Sequence, residues 1–244
     1  YQSVPRIDIE NRIDWKEHQI LLKSWFPFAV HTDEAVYEIQ FGNVKRSTHR
    51  NTSWDFAKFE VCSHKWLDMS EDGYGISVLN DCKYGSSAEN GTVGLTMLKS
   101  GIFPNPEADQ EIHEFTYSIY PHKDGWRQAQ TVRQAYMLNN PPIAVEKRQS
   151  GGALPASCSW FSCDSENVVI ESIKKAEDRD SIIVRLYECY NRRGGVFLKT
   201  PLPVSEAWEC NMLEEREKKL LVQKEGVSIE ILPYEIRTIE LVIS

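Results

Sequence analysis

The stretch RSTHRNTSWDFAKFEVCSHKWLDMSEDGYGISVLNDCKYG, Arg46 to Gly85, sets polar, charged and aromatic residues between two segments that alternate like strands. On its N-terminal side, in Ala35 to Phe41, Tyr37, Ile39 and Phe41 share one face and Glu38 and Gln40 the other, the period of a half-buried strand. Toward its C-terminal end, Asp72-Gly73 turns the chain into Tyr74 to Leu79, with Ile76 and Val78 aligned. Connecting loops ordinarily turn on Gly, Ser, Asn and Asp. Here His49, Arg50, Asn51, Trp54, Asp55, His64 and Trp66 stand together, and each needs a packing surface or a hydrogen-bond partner. Residue chemistry leaves two readings open: a long loop folded over a sheet and satisfied internally, or a functional surface.

Moving outward, alternation dominates. Arg6 to Val30 alternates loosely, as RIDIENRIDW and then ILLKSWFPFAV. Asn90-Gly91 is a hairpin turn, since both central positions tolerate positive φ, and Val93, Leu95 and Met97 share a face in Thr92 to Leu98 beyond it. Glu114 to Tyr120 repeats the pattern with Phe115, Tyr117 and Ile119. Gly125 to Leu138 divides between a helix, with Ala129, Val132 and Tyr136 at helical spacing, and an extended segment; Asn139-Asn140-Pro141-Pro142 would stop a helix.

Lys147 to Ala156 combines charge, Gly and Pro and marks a boundary. After it, Ile182, Val184 and Leu186 alternate with Ile183, Arg185 and Tyr187, so both faces are partly buried, and Arg193-Gly194-Gly195 is expected to close a hairpin into VFLKT. Val227, Ile229 and Ile231 oppose Ser228 and Glu230, and Ile239, Leu241 and Ile243 share one face. Val204 to Lys219 stays ambiguous, with a helical reading at its Glu/Lys-rich end. Nowhere do strands alternate with long helices, and a complete (β/α)₈ barrel takes about 250 residues by itself. The expected fold is all-β, with a large sandwich over residues 1–150 and a smaller one over 151–244.

Composition narrows the function classes. A chain of 244 residues that is 41 % hydrophobic supports one large core or two smaller ones. A formal net charge of −8 argues against nucleic acid, whose phosphates need a basic face. No apolar run approaches the roughly 18 residues of a membrane-spanning helix, so no membrane partner is expected. Tyr1 stands where an initiator Met would, which reads as an excised piece. The six cysteines include no CxxC pair, so the expectation is free, mostly buried thiols of a reducing compartment, with the sequons at Asn51 and Asn90 unused.

Several motifs together carry a resemblance. RSTHRNTSWD, VLNDCKYG, PNPEADQEIHEFTYSIYPH from Pro104 to His122 and DSENVVIESIKKAEDRDSIIVRLYECYNRRG from Asp164 to Gly194 resemble the C-terminal region of family-38 α-mannosidases, most closely the cytosolic and bacterial branch. The likeness runs from about Arg6 to the end. It implies a galactose-mutarotase-like supersandwich followed by a smaller C-terminal β-sandwich domain, and it favours strand and turn over helix in Val204 to Lys219. It also implies that the nucleophile and the His and Asp ligands of a divalent metal, zinc in the family, belong to an N-terminal catalytic barrel of the same polypeptide. This chain would then hold no catalytic residue and no metal and be inactive alone. Within a cytoplasmic enzyme acting on mannosyl oligosaccharides it would support that barrel; a homo-oligomer stays open.

The candidate residues follow from both lines. His49, Arg50, Asn51, Trp54 and Asp55 read as a substrate-cleft rim, a sugar platform or a plug docked on the barrel, Trp and Arg being favoured interface anchors. Asp81 matches an aspartate that the distant lysosomal and Golgi branch follows with a cleft arginine. Cys82 stands in that arginine's place and Lys83 follows, so Lys83 is the substitute cation, or else Asp81 simply caps a turn while Tyr84 packs. His49 and His64 lack a third metal ligand. His113 and Glu114 would serve a mutarotase-like epimerase only if they converged, and neighbours on a strand point to opposite faces. A stand-alone carbohydrate-binding module would use Trp54 and Trp66 as its platforms.

Overall fold

Period-two alternation produces antiparallel strands throughout. The computed structural model describes residues 4–146, 151–152 and 154–244. They divide into two compact units, Tyr1–Ile143 and Ala144–Ser244. Half of the expected boundary at Lys147 to Ala156, residues 147–150 and 153, lies outside the described residues.

The first unit runs β1 (Ile7–Asp14), β2 (Leu21–Pro27), β3 (Glu34–Ile39), β4 (Gly42–Ser47), α1 (Ser53–Ala57), β5 (Val61–Cys62), β6 (Trp66–Glu71), β7 (Tyr74–Asn80), β8 (Gly85–Glu89), β9 (Thr92–Lys99), β10 (Ile112–His122) and α2 (Thr131–Asn139). A six-stranded sheet, β1-β10-β7-β6-β3-β4, packs on a four-stranded one, β2-β9-β8-β5. The core between them takes Tyr37, Leu67, Met69, Ile76 and Val78 from the first sheet and Phe26, Val61, Ala88 and Val93 from the second. The turns are those the sequence announces. Glu71 pairs with Tyr74 across Asp72-Gly73, and Glu89 pairs with Thr92 across Asn90 (φ 47°) and Gly91 (φ 75°).

The far face of the larger sheet is covered as well. Helix α2 lays Val132 and Ala135 against β6 and β7, and Trp66 packs against Trp126 in a tilted arrangement with centroids 5.0 Å apart. This accounts for Leu79, Ser77, Tyr120 and His122 being buried on the face away from the sandwich core. The helix begins only at Thr131, so Ala129 lies in the turn before it, and it stops at Asn139 ahead of the prolines.

The strand expected over Ala35 to Phe41 is shorter than its pattern. Gln40 and Phe41 form the two-residue turn that pairs Ile39 with Gly42, and Phe41 takes φ 56°. Ile39 is therefore exposed at the strand end. Glu38 is buried beneath the crossing chain at Lys65, whose amide donates to its carboxylate.

In the second unit the strands are β11 (Ser162–Cys163), β12 (Val168–Lys175), β13 (Ile182–Glu188), β14 (Gly194–Lys199), β15 (Val204–Cys210), β16 (Arg216–Leu220), β17 (Val222–Gln223), β18 (Gly226–Ile231) and β19 (Ile236–Ile243). A five-stranded sheet, β12-β13-β19-β15-β16, faces a four-stranded sheet, β11-β14-β18-β17. Val184, Leu186, Ile239 and Leu241 meet Leu198, Val227, Ile229 and Ile231 between them. Val204 to Lys219 resolves into two strands and a turn.

The hairpin expected at Arg193-Gly194-Gly195 does not form. β13 pairs with β12 and β19, whereas β14 pairs with β11 and β18, so the chain there crosses from one sheet to the other. The six cysteines are free, but Cys62, Cys82 and Cys158 are exposed and only Cys189 and Cys210 are buried, against the expectation of mostly buried thiols. Among the described residues, no helix is long and apolar enough to cross a membrane.

Candidate functional site

Strand β4 delivers the chain to a capped turn. Thr52 accepts a hydrogen bond from the Asp55 amide on its side-chain oxygen at 3.1 Å and donates its hydroxyl to the Asp55 carboxylate at 2.7 Å, a reciprocal cap of the capping-box kind. Ser47 donates to the other carboxylate oxygen at 2.7 Å. These hydroxyls, Ser47 first, hold the Asp55 carboxyl below its ordinary range. Asp55 is thus a structural clasp, and the clasp fixes α1.

What α1 and the turn after it display is apolar. Trp54 is 78 % exposed, and Phe56 and Phe59 are each 64 % exposed. Arg50 pairs with Glu89 at 2.7 Å and lies 5.9 Å from the Phe56 ring. His49 sits 3.9 Å from Asp55, and its Nδ1 accepts from the Asn51 amide at 3.4 Å. Arg46 and Val44 alternate onto the core-facing side of β4, opposite Ala35 and Tyr37. The Arg46 guanidinium lies 5.7 Å from the Tyr37 ring, where burial pushes the tyrosine hydroxyl up to about 12 and keeps it neutral. Arg46, His49, Arg50, Asp55, Lys58 and Phe59 line one small notch, with Ser87 and Glu89 on its far wall.

The second group of candidates sits elsewhere: Asp81, Lys83 and Tyr84 do not line that notch. Asn80, not Asp81, caps the turn, its side-chain oxygen accepting from the Lys83 amide at 2.8 Å. Asp81 instead prolongs the pairing to β10, accepting from the Thr116 amide at 2.7 Å. Although Cys82 reaches the surface, the protein around its thiol partly desolvates it, and with the Asp81 carboxylate beside it the thiol is pushed up to about 11. The Lys83 ammonium lies 4.5 Å from the Phe115 ring, and Tyr84 stacks on His64 at 4.9 Å. His64 also meets the Gln40 side chain at 3.1 Å. Trp66 is wholly buried, so it offers no face to a sugar and the two-tryptophan platform fails.

Glu114 pairs with exposed Arg12 at 3.2 Å, while the His113 ring meets the Asp109 carbonyl at 2.9 Å; the two side chains do not converge. Among the described residues, no group of three or more His, Cys, Asp or Glu side chains is placed to hold a metal ion.

Beneath α2 lies a cluster of catalytic residue types that sequence reasoning passed over. Asp68 meets His122 Nε2 at 2.7 Å and accepts from Ser77 at 2.7 Å, while Ser77 Oγ lies 3.1 Å from the same ring nitrogen. A nucleophilic triad needs serine and aspartate on opposite ring nitrogens. Here both crowd Nε2, and all three residues are buried. The cluster ties α2 to the sheet through Thr131, 2.9 Å from Ser77 Oγ. Arg46 was also passed over. The signal for it was an arginine at a core-facing register position, readable only once Gly42–Ser47 is recognised as a strand.

The model of the glycosyl hydrolases family 38 C-terminal domain matches residues 1–107, and that of the family 38 C-terminal beta sandwich domain matches residues 167–239. The chain belongs to glycosyl hydrolase family 38. Among family members, alpha-mannosidase G of Dictyostelium discoideum is 40 % identical over 240 residues, covering 96 % of this chain and 22 % of that protein. Alpha-mannosidase 2C1 of Mus musculus is 38 % identical over 244 residues, covering 98 % of this chain and 23 % of its own length. The chain therefore spans less than a quarter of these relatives and corresponds to their C-terminal part. The crystal structure of an alpha-mannosidase from Enterococcus faecalis V583 shares the fold, with TM-score 0.81 and 18 % identity over 98 % of this chain and 27 % of that one.

Proposed function

We propose that this chain is the C-terminal, non-catalytic region of a cytoplasmic α-mannosidase that hydrolyses terminal α-linked mannose. In this reading the large sandwich, residues 1–150, supports an N-terminal catalytic barrel of the same polypeptide and borders its carbohydrate cleft, while residues 151–244 form the smaller domain. A divalent metal, zinc in the family, and both catalytic carboxylates belong to the barrel. One observation carries the reading: near 40 % identity along almost the whole chain to alpha-mannosidases of which it makes up less than a quarter. The six free cysteines favour the reducing compartment. Trp54, exposed beside Arg50 and the Asp55 clasp, supports a role at a covered surface rather than in a loop satisfied within itself.

The test is turnover of an aryl α-mannoside. The purified chain should give none, with or without added zinc, and the polypeptide that includes the catalytic barrel should give metal-dependent hydrolysis. Metal-dependent turnover by the chain alone would overturn the proposal. Trp54 also favours a second reading, a stand-alone carbohydrate-binding module. Calorimetric titration with mannose and short mannosides decides that one, and no heat with any sugar removes it.

A further inference from the structure

The notch beside α1 is unbalanced in charge. Arg46 forms no ion pair among the described residues, and its Nε is buried with no hydrogen-bond partner. Ser87, on the wall of the same notch, is buried with its hydroxyl oxygen also unpartnered. Neighbouring carboxylates are already engaged, Asp55 by Ser47 and Thr52, and Glu89 by Arg50. Lys58 adds a further cation at the rim with no ion pair among the described residues. Buried polar groups in folded proteins are almost always satisfied, so each orphan asks for an explanation.

Water could supply an acceptor to Arg46 but no counter-charge. A carboxylate supplies both, and its paired oxygens match the planar donors of a guanidinium. The surroundings point to a carboxylate carried on polypeptide. Phe59 lines the notch, and Trp54 and Phe56 stand exposed on the adjoining α1, apolar surface that a small free anion would leave wet; aromatic residues with arginine are the composition of interface hot spots. In relatives more than three quarters of the polypeptide lies outside the matching region, which puts such a surface at high effective concentration.

We infer that the Arg46 notch seats an Asp or Glu side chain from the remainder of the parent polypeptide, whose apolar neighbours cover Trp54, Phe56 and Phe59. The inference rests on the reading of this chain as the C-terminal region of a longer enzyme, and it names where and by what chemistry the two parts meet.

The experiment uses the whole parent polypeptide. A carbodiimide that joins carboxylates directly to amines is expected to couple Lys58 to an acidic residue outside the 244 residues, identified by mass spectrometry. Hydrogen exchange over residues 46–60 is expected to speed up at least about tenfold in Arg46→Gln and in Trp54→Ala, and to stay unchanged in the control Arg12→Gln, whose pair with Glu114 is exposed. Trp54 is exposed and makes no core contact, so its variant folds and the comparison stands even where Arg46→Gln does not. Coupling of Lys58 only within the 244 residues, or unchanged exchange in both variants, overturns the inference. If, in addition, protection in the whole polypeptide falls on other elements of this chain, the docking reading stands and only the notch is wrong. If the whole polypeptide hydrolyses no mannoside, the parent reading itself fails.

Discussion

Glu240 carries the strongest electrostatic argument of any single residue. It is wholly buried on β19, and Arg216 reaches it twice, at 2.7 and 2.8 Å, with Arg179 at 2.9 Å and Ser181 at 2.6 Å. Arg216 above all holds the carboxyl down, from an ordinary 4.5 to about 2. The folded value lies below the unfolded one, so the folded state favours the ionised form. The resulting stability is fully present above about pH 4.5 and is lost as pH falls toward 2. Glu240→Gln leaves two arginines facing a neutral amide and should cost roughly 3 kcal/mol near neutral pH. Urea unfolding at a series of pH values should show the gap between variant and parent narrowing between pH 4.5 and 2. A gap that does not change with pH would mean the carboxyl is not held down.

At the scale of elements, the β14–β18 pair leaves no room for a side chain at one position. Gly226 faces Lys199 at φ 152°, and a Cβ there would stand 2.0 Å from the Leu198 carbonyl oxygen. Backbone against backbone cannot give, so Gly226→Ala should destabilise by roughly 3 kcal/mol or more, read as a lowered urea midpoint. Gly194→Ala, at the start of β14 with open space around its Cβ, is the matched control and should change little. The sequence announced elements wherever local chemistry was enough. Asn90-Gly91 and Asp72-Gly73 name their own turns, and Val93, Leu95 and Met97 name their own face. It misled where a partner far along the chain decides. Nothing near Arg193 says that β14 joins β18 rather than β13, and nothing near Glu38 says that Lys65 will cross over it. Of the candidate residues, His49, Arg50 and Asp55 gather at one notch while Asp81, Lys83 and Tyr84 do not, because hydrophobic period fixes faces but not which loops converge.

At the scale of the molecule, each unit owns a core. Residues of the second unit supply every member of the cluster around Leu186, Leu198, Ile229 and Leu241. Residues 144–244 expressed alone should therefore unfold in a single cooperative thermal transition, followed by far-ultraviolet circular dichroism. A gradual, featureless melt would mean that this core is completed by the first unit. A protein made of open sheets also has margins where backbone groups lack a neighbour. β16 is one such margin, the outermost strand of its sheet, and its exposed run Arg216, Glu217, Lys218 and Lys219 is nearly all charge. A strand from another copy could hydrogen-bond there only by dehydrating those ammonium and carboxylate groups, so this border resists the stacking that leads to fibrils.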